Sequence, residues 1–248
     1  MFRSLLVSAG VVVLALAIGA IDHSASGATG TQLRVKELPL GVKVQVSEKD
    51  GQEVVVLPFG SVLTASIWQV SQGQSIAVCW ENPSAATTAQ RDHVRQSVEA
   101  TWQKESRLRF SGWGPCERAS GGIRIRIADE GPHVKALGRY LDARPDGMVL
   151  NFTFNRWSPS CQSRPDFCSW AIAVHEFGHA IGFAHEQNRA DAPFECQAER
   201  QGTTGDWNVT TYDPQSIMNY CNQAWNNDGK LSARDIEGVR TIYGAPQQ

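Results

Sequence analysis

The sequence has no excess of charge of either sign. Its 23 lysines and arginines nearly balance its 25 aspartates and glutamates, which gives a formal net charge of -2 over 248 residues. Proteins that bind nucleic acid or anionic membranes usually carry a basic surface, which this composition does not support. We therefore expect no nucleic acid partner and no stable membrane association, and any partner has to be inferred from a site.

An apolar run without charged residues lies at the amino terminus. It covers residues 5–21 and follows Arg3, and small residues at positions 19–20 and 26–28 offer two places for cleavage. This arrangement is typical of a secretory signal peptide, which we predict for residues 1–28. The alternative is an uncleaved membrane anchor, for which the run is at the short limit. Both interpretations predict a secreted or extracytoplasmic protein.

The sequence lacks a C-x-x-C pair, although it contains six cysteines. They are Cys79, Cys116, Cys161, Cys168, Cys196 and Cys221. An even number of cysteines in an exported chain favours disulfide bonds. A zinc–thiolate site is the alternative, but other residues of the chain form a better set of metal ligands.

Hydrophobic periodicity predicts a domain of mixed secondary structure from residue 75 onward. Period-two or continuous apolar patterns predict strands at residues 76–80, 108–113, 123–128 and 148–154, with a shorter extended piece near 134–140. Helical patterns predict helices at residues 87–105, 170–184 and 232–243, the last with a capping pattern from Ser232 to Asp235. Before this domain, residues 32–70 predict only a few short strands.

The strongest chemical signal is a group of three histidines with fixed spacing. His175 and His179 are four residues apart, so that on a helix their imidazoles can point to one metal ion about 2.0–2.1 Å away. A third ligand on the next turn of the same helix would not give tetrahedral geometry. Gly182 can adopt the positive φ that ends the helix and brings His185 back to the metal. Three neutral ligands leave one position open for water.

Glu176 directly follows the first histidine and can lie beside the open position without binding the metal. Zinc lowers the pKa of a bound water, and a neighbouring carboxylate can take its proton and return it to a leaving amine. A closed structural zinc site is the alternative interpretation. Structural sites usually have four protein ligands, often cysteines, and need neither Glu176 nor Gly182.

The segment of residues 175–185 resembles the zinc signature of the metzincins. Its continuation through Glu186 and Arg189 resembles the astacin family in particular. A second block, residues 212–220, is similar to the astacin Met-turn, with Met218 below the zinc site and Tyr220 beside the metal. The end of the chain, from residue 231 to 244, also resembles a matrixin.

The resemblance implies an α+β, zincin-like fold. Its parts would be a twisted mixed sheet with an antiparallel edge strand, an active-site helix and an irregular carboxyl-terminal subdomain. A substrate peptide would add as a strand to the sheet edge near residues 134–140. The phenol of Tyr220 would bind the metal or donate to the oxyanion of the tetrahedral intermediate.

The resemblance also bears on the cysteines and on maturation. It implies a Cys161–Cys168 bridge, and with it we predict the pairs Cys79–Cys116 and Cys196–Cys221. In astacins the glutamate that corresponds to Glu186 contacts the amino terminus of the mature enzyme, which implies removal of residues 32–70.

Together these features predict a secreted zinc-dependent endopeptidase. His175, His179 and His185 would hold Zn²⁺, Glu176 and Tyr220 would be catalytic, and the substrate would be a protein or peptide. We predict a signal peptide at 1–28, a pro-segment or amino-terminal extension at 29–72 and a catalytic domain at 73–248. The alternative is a catalytically silent binding module with the metzincin fold.

Overall fold

A computed structural model describes residues 34–38, 42–49, 52–56, 61–70 and 74–247. The predicted signal peptide, residues 1–28, lies outside the described residues. The chain divides into two compact units, Met1–Leu57 and Pro58–Gln248.

The first unit contains a three-stranded antiparallel sheet. Its strands are β1 (Arg34–Leu38), β2 (Val42–Lys49) and β3 (Gln52–Val56). β2 is the central strand, because it pairs with β1 on one side and with β3 on the other. The valines that alternate at positions 42, 44 and 46 gave the period-two pattern that predicts this strand.

The second unit is built on a mixed five-stranded sheet. Its strands are β4 (Ile76–Trp80), β5 (Phe110–Pro115), β6 (Ile123–Ile127), β7 (His133–Val134) and β8 (Met148–Leu150). They lie in the order β5-β4-β6-β8-β7, and every pair is parallel except β7 with β8. The predicted α+β fold with an antiparallel edge strand is confirmed.

The described residues of this unit form five α-helices. They are α1 (Thr88–Val98), which continues into a π-helical segment at Glu99–Gln103, α2 (Pro159–Gln162), α3 (Pro165–Ala180), α4 (Phe194–Gln197) and α5 (Ala233–Tyr243). Large buried side chains from both layers form the core, among them Trp80, Trp102 and Phe177. The indole Nε1 of Trp102 donates to the carbonyl oxygen of Val174 at 2.7 Å, which ties the π-helical segment to α3.

The bounds of α3 differ from the prediction of residues 170–184. The helix begins earlier because Pro165 occupies its first turn, where a missing N–H costs nothing. It ends earlier because the backbone leaves the helix at Gly182, which has a φ of 105°. The apolar residues at 181, 183 and 184 continued the helical pattern, although they are buried outside the helix.

The edge strand is also shorter than the extended piece predicted near residues 134–140. β7 stops at Val134, and a 3₁₀ turn follows at Gly138–Leu141. Gly138 has a φ of 52°, and a Cβ at this position would lie 1.9 Å from the carbonyl oxygen of Ser66. After β7 the chain therefore passes close to another backbone segment, which the apolar pattern does not record.

Residues 61–70 belong to the second unit. Val62 is fully buried and forms antiparallel bridges with both Phe183 and Trp207. The indole of Trp68 donates to the carbonyl oxygen of Ala180 at 2.8 Å. This segment therefore packs against the end of α3, close to the residues of the histidine motif.

Three disulfides hold the second unit together: Cys79–Cys116, Cys161–Cys168 and Cys196–Cys221. The predicted pairing is confirmed. Of the helices within the described residues, none has the length and apolar character needed to cross a membrane.

Candidate metal centre and active site

The sharp end of α3 determines where the third histidine lies. The N–H of Gly182 donates to the carbonyl of His179 and the N–H of Phe183 to that of Gly178, both at 3.0 Å. These two bonds form a Schellman motif, which requires a left-handed residue that glycine adopts at little cost. The chain then runs back in an extended conformation, and His185 has a φ of -64° and a ψ of 138°.

The three imidazoles converge through their Nε2 atoms. His185 Nε2 lies 3.3 Å from His175 Nε2 and 3.1 Å from His179 Nε2. One ligand atom from each residue lies within 4.8 Å of the other two, and all three residues are buried. The structure therefore brings together the three predicted ligands.

Backbone carbonyls fix the tautomer of each imidazole. The Nδ1 atoms of His175, His179 and His185 lie 2.8, 2.7 and 3.1 Å from the carbonyl oxygens of Ile217, Phe183 and Gln201. A carbonyl oxygen only accepts, so each Nδ1 carries the proton and each Nε2 presents a lone pair.

Burial keeps these imidazoles neutral. It lowers the pKa of His175 to about 3, that of His179 well below its usual range, and that of His185 in the same direction. The proximity of His185 adds to the effect at the other two histidines.

This arrangement fits a zinc ion. Tetrahedral ligands at the usual Zn–N distance of about 2.0–2.1 Å lie about 3.3–3.4 Å apart, close to the separations of the Nε2 atoms. Three lone pairs that face each other at this distance repel one another unless a cation lies between them. The carbonyls that fix Nδ1 also orient the rings, as the outer partners of metal-binding histidines commonly do.

Glu176 is buried next to this group. Its side chain is 5% exposed, and its Oε2 atom has no hydrogen-bond partner within the described part of the chain. Burial raises the pKa of its carboxyl to about 8. A buried carboxyl oxygen without a partner is costly.

Tyr220 covers two of the histidines. Its ring stacks on that of His175 at 5.2 Å with an interplanar angle of 12°, and its centroid lies 4.4 Å from that of His185. Burial, with a smaller contribution from the charge of Glu176, raises the pKa of the phenol. The phenol therefore keeps its proton and can donate it in a hydrogen bond.

Two neighbours of His185 position the site, although their roles were not predicted. Gln187 is fully buried, and its Oε1 accepts from the N–H of Tyr220 at 3.1 Å. Asn188 accepts from the N–H of Gln201 at 3.1 Å and donates to its carbonyl at 2.8 Å, the same carbonyl that fixes His185. The only sequence signal for them was their place directly after the histidine motif.

The predicted Met-turn packs closely beneath the site. A Cβ at Gly178 would lie 2.3 Å from the sulfur of Met218, so this helical position admits only glycine without rearrangement. The carbonyl oxygen of Met218 accepts from the N–H of Glu186 at 2.9 Å. Glu186 itself is buried, pairs with Arg189 at 3.3 Å and accepts from the N–H of Asp213 at 2.8 Å.

Two adjoining cavities open at the histidines. A cavity of about 400 Å³ lies between β7 and the loop at 201–203, and is lined by His179 and His185. A second cavity of about 460 Å³ extends past His175. Glu176 and Tyr220 line both, so the two cavities meet at these residues.

Comparison with known families bears on this centre. A family model described as Astacin, a peptidase family, matches residues 161–244, which contain the histidines, Glu176, Met218 and Tyr220. This part of the chain is similar to the astacin family. Because the matched family is a peptidase family, the match supports a zinc metalloprotease.

Individual relatives of the astacin-like chain are distant. Interstitial collagenase from Bos taurus is 24% identical over 185 residues, which is 68% of this chain and 34% of the collagenase. The chain therefore spans about a third of the length of this curated relative.

Two solved structures are also similar to the astacin-like chain. Myroilysin has a TM-score of 0.52 and 22% identity, with 76% of this chain and 100% of the myroilysin chain covered, and it shares the fold. High choriolytic enzyme 1, a hatching enzyme zinc-protease from Oryzias latipes, has a TM-score of 0.49 and 19% identity, with 74% and 96% covered.

Proposed function

We propose that the protein is a secreted zinc-dependent endopeptidase in which Glu176 is the general base and acid. The observation that carries this proposal is the convergence of three unprotonated Nε2 atoms beside a buried carboxyl in an open cleft. A structural metal site would have no need of either the cleft or the carboxyl.

In this proposal His175, His179 and His185 hold the metal through Nε2. Bound zinc would supply a Lewis acid that polarises the scissile carbonyl and lowers the pKa of water. Glu176 takes a proton from the attacking water on its unpaired Oε2 and passes it to the nitrogen of the leaving amine. The carboxyl is 5% exposed, which limits exchange of this proton with bulk water.

Tyr220 would stabilise the oxyanion of the tetrahedral intermediate. Its ring is held against His175, and its backbone by Gln187, so the phenol needs little reorganisation to donate. A donor preorganised in this way usually contributes about 2.7–4 kcal/mol to transition-state stabilisation.

The edge of the sheet would align the substrate. β7 is the last strand in the order, and residues 132–137 line the cavity that contains His179 and His185. A peptide that pairs with this edge would be extended across the cleft, because strand addition uses the free backbone groups of an edge strand.

Export is part of the same proposal. Three disulfides fit an oxidising compartment, and residues 1–28 would supply the signal. Residues 29–72 would be a pro-segment or an amino-terminal extension of the catalytic domain at 73–248, and residues 61–70 of this segment pack against that domain.

Zinc content and casein hydrolysis test the proposal together. Purified protein should contain about one zinc per chain, lose hydrolysis on treatment with a chelator, and recover it when zinc is returned. Protein that holds zinc but cleaves no casein would favour the silent binding module. Hydrolysis that persists after complete removal of the metal would contradict the proposed mechanism.

A further inference from the structure

The third imidazole of the metal centre depends on an irregular loop for its orientation. The carbonyl oxygens that fix His175 and His179 belong to the Met-turn and to the turn that ends α3. The carbonyl oxygen that fixes His185, at 3.1 Å, belongs to Gln201, which lies at an exposed position outside the helices and strands. Exposed loops are the segments that open most easily in a folded protein. This carbonyl can therefore hold the ring of His185 only if another group holds Gln201.

The side chain of Asn188 holds Gln201 by both of its backbone groups. Asn188 is 2% exposed, and its Oδ1 accepts from the N–H of Gln201 at 3.1 Å. Its Nδ2 donates to the carbonyl oxygen of Gln201 at 2.8 Å and to that of Thr203 at 3.3 Å. A backbone N–H only donates and a carbonyl oxygen only accepts, so these three bonds determine which way the carboxamide faces.

The loop has little other support at this point. Among the described residues, only Asn188 and His185 form hydrogen bonds with the backbone of residues 201–203. The loop is held again on either side of these residues. There the carbonyl oxygen of Glu199 accepts from Gln187 at 3.3 Å, and the carboxylate of Asp206 accepts from Thr64 at 2.7 Å. Neither contact touches the carbonyl that fixes His185.

His185, Asn188 and Gln201 form a closed ring of hydrogen bonds. The N–H of Asn188 donates to the carbonyl oxygen of His185 at 3.1 Å, across the 3₁₀ turn Glu186–Asn188. The carbonyl oxygen of Gln201 accepts from both Asn188 and the imidazole, which uses its two lone pairs. Loss of the carboxamide would open this ring and leave the carbonyl free to turn toward solvent.

We propose that Asn188 is a positioning residue of the metal centre, which holds the Gln201 carbonyl against Nδ1 of His185 and so keeps the Nε2 lone pair of this ring directed at the metal. Without an acceptor at Nδ1, a neutral imidazole carries its proton on either nitrogen, and only one of these forms can bind through Nε2. Loss of an outer partner of a metal-binding histidine typically lowers metal affinity roughly 10- to 100-fold. The inference rests on the zinc site of the proposed function and adds a residue that determines its affinity.

Zinc affinity measures this role without reference to catalysis. Asn188→Leu keeps a side chain of similar size and removes all of its hydrogen bonds. Its dissociation constant for zinc, measured by competition with a chelating indicator, should rise roughly 10- to 100-fold over that of the wild type. Asn188→Ala should show the same rise and provides the test if leucine disturbs the packing of the turn. An unchanged dissociation constant in both variants would overturn the proposal.

Asn82→Leu is the control, because Asn82 forms the same kind of contact elsewhere. Its carboxamide accepts from the N–H of Ile127 and donates to the carbonyl oxygen of the same residue, both at 2.9 Å. Asn82 lines neither of the cavities at the histidines. Asn82→Leu should therefore bind zinc as tightly as the wild type. Equal losses of affinity in Asn82→Leu and Asn188→Leu would overturn the proposal, since they would show a general effect of stability.

NMR spectroscopy of isotope-labelled imidazoles distinguishes failure of this inference from failure of the proposed function. In the full chain without metal, near neutral pH, the wild type should carry the proton on Nδ1 in all three rings. In Asn188→Leu only His185 should lose this preference, because the partners of His175 and His179 lie elsewhere. That result would support the role of Asn188 even if the wild type cleaved no casein. Three unchanged rings, or a change in all three, would overturn it even if the wild type were an active zinc peptidase.

Discussion

Single residues of the site are held by backbone groups from distant parts of the chain. His175 on α3 donates to Ile217, and Tyr220 after the Met-turn is held by Gln187. The first contact joins α3 to the irregular segment that follows His185, and the second joins two parts of that segment. A change in one side chain therefore tests a defined contact and leaves the fold in place.

Tyr220→Phe keeps the ring that stacks on His175 and removes only the hydroxyl. If the phenol donates to the oxyanion, kcat should fall roughly 10²- to 10³-fold, with little change in KM and with zinc retained. Steady-state kinetics and metal analysis measure both effects.

Tyr140→Phe is the matched control for this prediction. Tyr140 is 48% exposed, against 42% for Tyr220, and does not line the two cavities at the histidines. Its kcat should remain that of the wild type. An unchanged kcat in Tyr220→Phe would leave Tyr220 with a structural role only.

The sequence could predict the convergence of the histidines because it depends on local rules. The spacing of His175 and His179 sets two rings on one helical face, and Gly182 permits the turn that brings His185 back. The roles of Gln187 and Asn188 could not be predicted, since they depend on the positions of residues 201 and 220, which local patterns do not encode.

Among the secondary-structure elements, α5 has a second function beyond packing. Its capping residue Asp235 accepts from the N–H of Ser232, as the capping pattern predicted. The same carboxylate accepts from the hydroxyl of Ser216 at 2.6 Å and from the N–H of Ile217 at 2.9 Å. Because Ile217 holds His175, α5 supports the metal centre through one buried carboxylate.

A dependence of stability on pH follows from this buried carboxylate. Burial raises the pKa of Asp235 to about 6, although its hydrogen bonds act in the opposite direction. The folded protein then holds a proton that the unfolded chain, with a pKa near 3.8, has released. This bound proton contributes up to about 3 kcal/mol to the free energy of unfolding. The contribution is fully present below about pH 4 and is lost as the pH rises to about 6.

Denaturant unfolding of the wild type and Asp235→Asn, both in excess chelator, measures this contribution. The variant does not titrate at this position, so the difference in stability between the two proteins should change between pH 4 and pH 6. Other groups titrate equally in both and cancel in the difference. A difference that is constant over this range would contradict the assignment.

The ends of α3 and one turn could not be predicted from the hydrophobic pattern. The centre of α3 was predicted, yet its ends were not, because the apolar pattern begins only at residue 170, after Pro165, and continues past Gly182. The left-handed turn at residues 226–228 was not predicted at all. No glycine occupies these three positions, and contacts with Trp170 and Asn222 stabilise a conformation that the residues themselves disfavour.

The chain divides into its two compact units between Leu57 and Pro58, and this boundary suggests where a maturation cleavage would fall. Residues 61–70 contribute to the unit that contains the metal centre. The N–H of Leu63 donates to Gly182 at 3.1 Å, and the carbonyl of Ser61 accepts from Ala184 at 2.8 Å. Both partners flank the turn that positions His185. We therefore propose that a maturation cleavage, if it removes the first unit, falls before Ser61.

Two truncated proteins test this proposal. A chain that begins at residue 58 should fold and bind zinc as tightly as the full chain. A chain that begins at residue 73 loses the burial of Val62, about 1.5–3 kcal/mol, and several hydrogen bonds of about 0.5–1.5 kcal/mol each. Its melting temperature and zinc affinity should both fall. Equal stability of the two chains would show that residues 61–70 are dispensable. The boundary between the removed segment and the catalytic domain would then lie at residue 72.

The substitution Glu176→Gln separates proton transfer from metal binding. Glutamine keeps the size of the side chain but cannot accept the proton, and Glu176 is not among the three residues that would hold the metal. Zinc content should therefore equal that of the wild type, while mass spectrometry of a digested peptide library should detect almost no products. Glu195→Gln, at an exposed position of α4, should cleave as the wild type does. Wild-type cleavage by Glu176→Gln with its zinc in place would show that Glu176 is not the general base.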